Sequence, residues 1–93
     1  MSIFQASDYN DEQVFTISNE FISIDANAFS GVTILTSITI PNTIINIGGN
    51  AFNGASSLET VTFEDDSSLA TIAYRAFYNA TSLTSITIPN NVT

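Results

Sequence analysis

The 93-residue chain has no cysteine, no histidine and no lysine, and Arg75 is its one basic residue. The lack of cysteine excludes disulfides, zinc–thiolate sites, iron–sulfur clusters and thiol nucleophiles. The lack of histidine removes the commonest general base and metal ligand. With nine carboxylates the net charge is −8. Such a surface repels phosphate backbones and anionic lipid, so neither nucleic acid nor membrane is an expected partner. Ser and Thr are abundant, but no His or Lys stands ready to activate one. Neither an enzyme nor a cofactor is expected. Residues 1–12 have no basic start and no long apolar run, which argues against a signal peptide. No stretch is long and apolar enough to span a bilayer.

What the chain does have is apolar content, 44% of its residues, too much for a disordered segment. This content is periodic. Ala-Phe recurs at Ala28-Phe29, Ala51-Phe52 and Ala76-Phe77, at intervals of 23 and 25 residues. Six positions after each Phe stands Leu35, Leu58 or Leu83. Further columns hold Ile38, Val61 and Ile86, and Ile40, Phe63 and Ile88. Before each Phe lie Ile24, Ile47 and Ile72, preceded by Phe21, Ile44 and Leu69. The longer interval has a visible source: Pro41-Asn42-Thr43 in one unit becomes Glu64-Asp65-Asp66-Ser67-Ser68 in the next. An insertion that leaves the apolar register intact belongs in a loop, where it costs little closure entropy. Phe15-Thr16-Ile17 repeats the apolar–Thr–apolar form of Ile38-Thr39-Ile40. Residues 1–14 show no clear repeat and read as an N-terminal cap or arm, with the repeat array over 15–93 in units of about 21–43, 44–68 and 69–93.

A period in the low twenties is too short for paired helices. Each unit holds one alternating stretch rich in β-branched residues, such as Ser37-Ile38-Thr39-Ile40 or Thr60-Val61-Thr62-Phe63, which reads as a strand. One strand per coil gives a parallel sheet along one side of a solenoid, with apolar members pointing in and Ser or Thr pointing out. The Ala-Phe segments are expected in short helical or 3₁₀ turns on the other side, making an α/β-type solenoid of about three and a half repeats. Phe29, Phe52 and Phe77 should form a ring column inside, each contributing roughly 2 kcal/mol by burial.

At this point the residues resemble a known family. Residues 83–93, Leu-Thr-Ser-Ile-Thr-Ile-Pro-Asn-Asn-Val-Thr, look like the consensus of BspA-like leucine-rich repeats. So do residues 35–42 and 47–54. The resemblance covers roughly residues 15–93. It implies a right-handed solenoid from a family of surface proteins associated with adhesion to host proteins and other cells, and it brings no catalytic residues. Where family members often carry Cys, three residues after the Phe, this chain has Val32, Ala55 and Ala80.

Several residues are candidates for contacts. Ser37, Thr60 and Ser85 form one outward column; Thr39, Thr62 and Thr87, extended by Thr16, form another. A hydroxyl–methyl lattice of this kind suits protein, glycan or even ice, and equally reflects β-propensity on a solvated face. Glu64, Asp65 and Asp66 offer oxygen ligands to a hard cation, or simply form an acidic loop. Asp8, Asp11 and Glu12, with Tyr9, are a docking segment or a polar cap. Arg75 pairs with a carboxylate of a neighbouring coil or meets a partner. Asn79-Ala80-Thr81 and Asn91-Val92-Thr93 match the glycosylation sequon. Leu83, Ile86, Ile88 and Val92 would face open space at an uncapped end, which invites end-on stacking. Two functions follow: a protein- or glycan-binding adhesion module working through the Ser/Thr face at a cell or virion surface, or a structural subunit of a larger assembly, such as a virion or a surface layer, joined through its ends.

Overall fold

The computed structural model describes residues 2–86. The described residues wind through four coils. Each contributes one strand to each of two parallel sheets. The first sheet holds β1 (Ser2–Phe4), β3 (Phe21–Ile24), β5 (Asn46–Ile47) and β7 (Thr71–Ile72), in that order. The second holds β2 (Val14–Thr16), β4 (Ser37–Ile40), β6 (Thr60–Phe63) and β8 (Ser85–Ile86). The expected strand per unit is therefore present as the second sheet. The first sheet is an addition, because the apolar step of each unit before its turn is also extended.

The Ala-Phe segments differ from the helical turns expected. Each is a pair of successive β-turns. In the second coil the Ala28 N–H donates to the Asp25 carbonyl and the Val32 N–H to the Phe29 carbonyl, both at 3.2 Å. The third residue of each turn has positive φ: 63° at Asn27 and 73° at Gly31. The same signs recur at Asn50 and Gly54, and at Arg75 and Asn79. Positive φ at the third position marks a type II turn, where Gly or Asn is favoured, and it prevents the run from continuing as a helix. Among the described residues the one helical element is the 3₁₀ turn Ala6–Asp8.

These turns also stack. The N–H groups of Asn27, Phe29 and Gly31 donate to the carbonyls of Gly49, Ala51 and Asn53, and those of Asn50, Phe52 and Gly54 to Tyr74, Ala76 and Tyr78, over 2.6–3.1 Å. A third ladder thus runs down the turn side from the second coil to the fourth, so these coils pair their backbones there as well as in both sheets.

The core lies between these walls and contains no buried polar side chain among the described residues. Phe29 stacks on Phe52 at 4.8 Å and Phe52 on Phe77 at 5.0 Å, with rings within 3° of parallel. The ring spacing matches the strand spacing of about 4.8 Å that sets the rise per coil. Ile24 and Ile47, and Leu35 and Leu58, are fully enclosed around the rings.

The N-terminal segment completes the first coil. The boundary expected after residue 14 falls inside β2, and β1 already pairs with β3. This coil lacks an Ala-Phe turn. Instead Phe4 stacks on Phe29 at 5.1 Å, while Tyr9 and Phe15 meet the same ring edge-on. Aromatic side chains from three places in the sequence thereby close this end of the ring column.

Candidate binding faces

The second sheet presents the regular outward columns. Register pairs Ser37 with Thr60 and Thr60 with Ser85, and pairs Thr16 with Thr39 and Thr39 with Thr62. The extension to Thr16 therefore holds. The first column is headed by Val14, which pairs with Ser37 and is 66% exposed, so hydroxyls do not run its full length. Thr16, Thr60 and Thr62 are exposed, whereas Ser37 and Thr39 are half-buried. The intervening Ile38 and Val61 point into the core. Exposed Glu59 and Glu64 bracket β6, giving the face a carboxylate on either side. Thr87 lies outside the described residues.

Glu64, Asp65 and Asp66 do not converge. Among the described residues no three acidic side chains come together in a way that could hold a metal ion. The Glu64 carboxylate instead accepts the Asn42 backbone N–H at 3.0 Å, and the Asp65 carbonyl accepts the Asn42 side-chain amide at 3.2 Å. The acidic loop is tied to the Pro41–Asn42 corner of the preceding coil. Positive φ at Asp66, 59°, turns the chain back toward β7.

In the N-terminal coil the Tyr9 hydroxyl donates to the Glu12 carbonyl at 2.5 Å, while its ring packs on Phe15 and Phe29. Partial burial, reinforced by the charges of Asp11 and then Glu12, raises the phenol's pKa above 10.0. Of the residues expected at an open end, Leu83 and Ile86 are half-buried and pack on the core. Ile88 and Val92 lie outside the described residues, as does Asn91. Asn79, in the other sequon, is exposed.

Arg75 pairs with no carboxylate among the described residues. Its guanidinium carbon lies 4.9 Å from the centre of the Tyr74 ring and 4.8 Å from that of Tyr78. Reasoning from the sequence missed both tyrosines. The signal was in the columns: Tyr74 stands where the earlier coils have Ala26 and Gly49, and Tyr78 where they have Ser30 and Asn53.

The first sheet carries a less regular outward column, Ile3, Ser23, Asn46 and Thr71. Ser23 donates a hydrogen bond to the Asn46 side chain. Ile3 in this column and Ile45, next to Asn46 in the chain, are about half exposed, at 49% and 47%. No described helix is long and apolar enough to cross a membrane.

Two solved structures share this architecture. One is a leucine rich cell surface protein from Faecalibacterium prausnitzii A2-165, 32% identical, with a TM-score of 0.81 over 89% of this chain and 25% of that one. The other is the T. pallidum Leucine Rich Repeat protein, 23% identical, with a TM-score of 0.84 over 89% of this chain and 40% of its own. The second likeness is one of fold alone. The chain thus spans a quarter to two-fifths of the length of these proteins. No curated protein matches it at a significant level. The model of the BspA type Leucine rich repeat region matches residues 3–93. With that match over nearly its whole length, a two-sheet solenoid and a stacked phenylalanine in successive coils, the chain belongs to the BspA-type leucine-rich-repeat family.

Proposed function

We propose that this chain is a non-catalytic interaction module that binds protein or glycan through the outward face of the second sheet. The observation that carries this reading is the register of Thr16, Thr39 and Thr62 across three adjacent strands, backed by enclosed residues that fix their outward direction. A row of short, conformationally restricted side chains on a hydrogen-bonded sheet loses little entropy when a partner covers it. The family supports the general role, since leucine-rich repeats are for the most part protein-interaction modules. The similar protein from Faecalibacterium prausnitzii is described as a cell surface protein, which favours a surface location for this chain as well.

The double substitution Thr39→Arg, Thr62→Arg tests the reading. Both side chains face away from the core, so the melting temperature should hold while capture on an array of purified proteins and oligosaccharides is lost. Capture that survives in a folded double variant would remove the sheet face from consideration.

A further inference from the structure

The turn side of the fourth coil departs from the coils before it. At three neighbouring positions the earlier turns carry small or polar residues: Ala26, Asn27 and Ser30, then Gly49, Asn50 and Asn53. The fourth carries Tyr74, Arg75 and Tyr78. The backbone has not changed, since φ is 63° at Asn27, 58° at Asn50 and 58° at Arg75. Asn tolerates this left-handed conformation; a long side chain is disfavoured there. The turn alone therefore calls for Asn, and Arg75 is held in a position that local conformation does not favour. A non-glycine residue in such a region points toward function when nothing in the fold requires it.

The surroundings say what the guanidinium offers. It lies over two tyrosine rings, which are 74% and 49% exposed. No side chain or carbonyl among the described residues accepts a hydrogen bond from it, in a chain with nine carboxylates. Its fork of N–H donors is thus oriented by the rings and left to solvent. A planar fork matches a carboxylate bidentately. Tyr and Arg are also the residues that most often anchor protein interfaces, because they supply large contact area together with a polar end.

We propose that Tyr74, Arg75 and Tyr78 form a second binding site, on the turn side and separate from the sheet face, that takes an acidic peptide segment. A Glu or Asp carboxylate of the partner pairs with the guanidinium, and a neighbouring apolar side chain packs on the outer faces of the two rings. The net charge of −8 opposes an acidic ligand at long range. That field is screened beyond about 8 Å at physiological salt, so the local pairing decides. The site does not depend on the reading of the sheet face.

The probe is a blocked peptide alternating glutamate and leucine. Its glutamine counterpart and an oligogalacturonate serve as comparisons, with binding followed by NMR shifts of the tyrosine rings and the Arg75 side chain. The variants are Arg75→Asn and Tyr78→Asn, which install residues that the preceding coil already uses at those positions and so should fold. The expected result is binding of the glutamate peptide at physiological salt and none of the glutamine peptide. Arg75→Asn should lose about tenfold or more in affinity, as for a charge-assisted pair, and Tyr78→Asn a smaller factor, with melting temperatures unchanged. Equal binding by folded Arg75→Asn overturns the proposal. So does tighter binding of the oligogalacturonate, which would assign the cluster to a glycan. Self-association that Arg75→Asn abolishes would assign it to a second copy and equally overturn it.

Discussion

The two sheets of the solenoid are built from the same repeat but are unequal. In the second, β4 and β6 have four residues each, alternate cleanly and pair residue for residue. In the first, β3 matches that length but β5 has two residues where its counterpart β6 has four, the register slips between Ser2 and Ile3, and the outward column mixes Ile, Ser, Asn and Thr. Yet both seal the same core: Ile38 is fully buried on one side and Ile47 is 1% exposed on the other. The difference teaches that outward regularity and inward sealing are separate properties. A short strand suffices to bury one isoleucine per coil.

The largest effect should come from the rings between the sheets. Phe52 is stacked on both faces and fully buried. Phe52→Ala should cost about 3–5 kcal/mol, read from chemical denaturation, and an unchanged midpoint would mean that the coils do not depend on the column. The comparison of sheets is tested next. Ile38→Ala and Ile47→Ala should each cost about 2–5 kcal/mol, because burial rather than strand length sets the loss. If Ile47→Ala cost well under half as much as Ile38→Ala, the first sheet would be a loose lid and not an equal wall.

Much of this was legible in the sequence, for a physical reason. Residues such as Ile24, Ile38, Phe52 and Leu58 are enclosed on all sides, so each coil must repeat them, and alignment of the chain on itself exposes the period. The first sheet was not legible as a sheet, because two-residue strands such as Asn46-Ile47 are too short to show alternation. Nor was the role of Phe4. It lies in register with Ile24 while its ring takes the place of a missing Ala-Phe phenylalanine, a substitution of role that column matching does not reveal. The Thr16–Thr39–Thr62 column was visible because each Thr stands between two apolar residues of the same alternating stretch. The Tyr74–Arg75–Tyr78 cluster was hidden because it consists of departures from the repeat, and alignment rewards agreement.

A smaller effect separates two adjacent glycines at the end of the first sheet. A Cβ on Gly48 would lie 2.5 Å from the backbone N of Ala26 and 2.8 Å from the carbonyl carbon of Asp25. Backbone cannot swing aside as a side chain can, so Gly48→Ala should force the second and third coils apart at about 1–3 kcal/mol. A Cβ on Gly49 meets only the Tyr74 carbonyl oxygen at 3.6 Å, an ordinary contact. Gly49→Ala should be neutral or stabilising by up to about 1 kcal/mol, through lost freedom of the unfolded chain. Equal melting temperatures for the two variants would mean that coil spacing here is looser than the backbone contacts imply.

The smallest effect is visible only in alkali and concerns the loop that links β1 to β2. Tyr9 is held neutral by partial burial, with Asp11 and Glu12 adding repulsion against a phenolate, so its pKa in the folded chain stands above the unfolded value of 10.0. Folding therefore favours the protonated form. The stability this contributes is fully present below the unfolded pKa and is lost as pH rises through the higher folded one. Deprotonation would also remove the donor that reaches the Glu12 carbonyl. Wild type should accordingly lose stability above about pH 10 relative to Tyr9→Phe, which keeps the ring against Phe15 and Phe29 but cannot ionise. Denaturation midpoints of the two proteins, measured from neutral pH into this range, should converge or cross as pH rises. A constant difference would mean that the phenol ionises equally easily in the folded and unfolded chains. The N-terminal coil would then close the ring column through Phe4 and Phe15 alone.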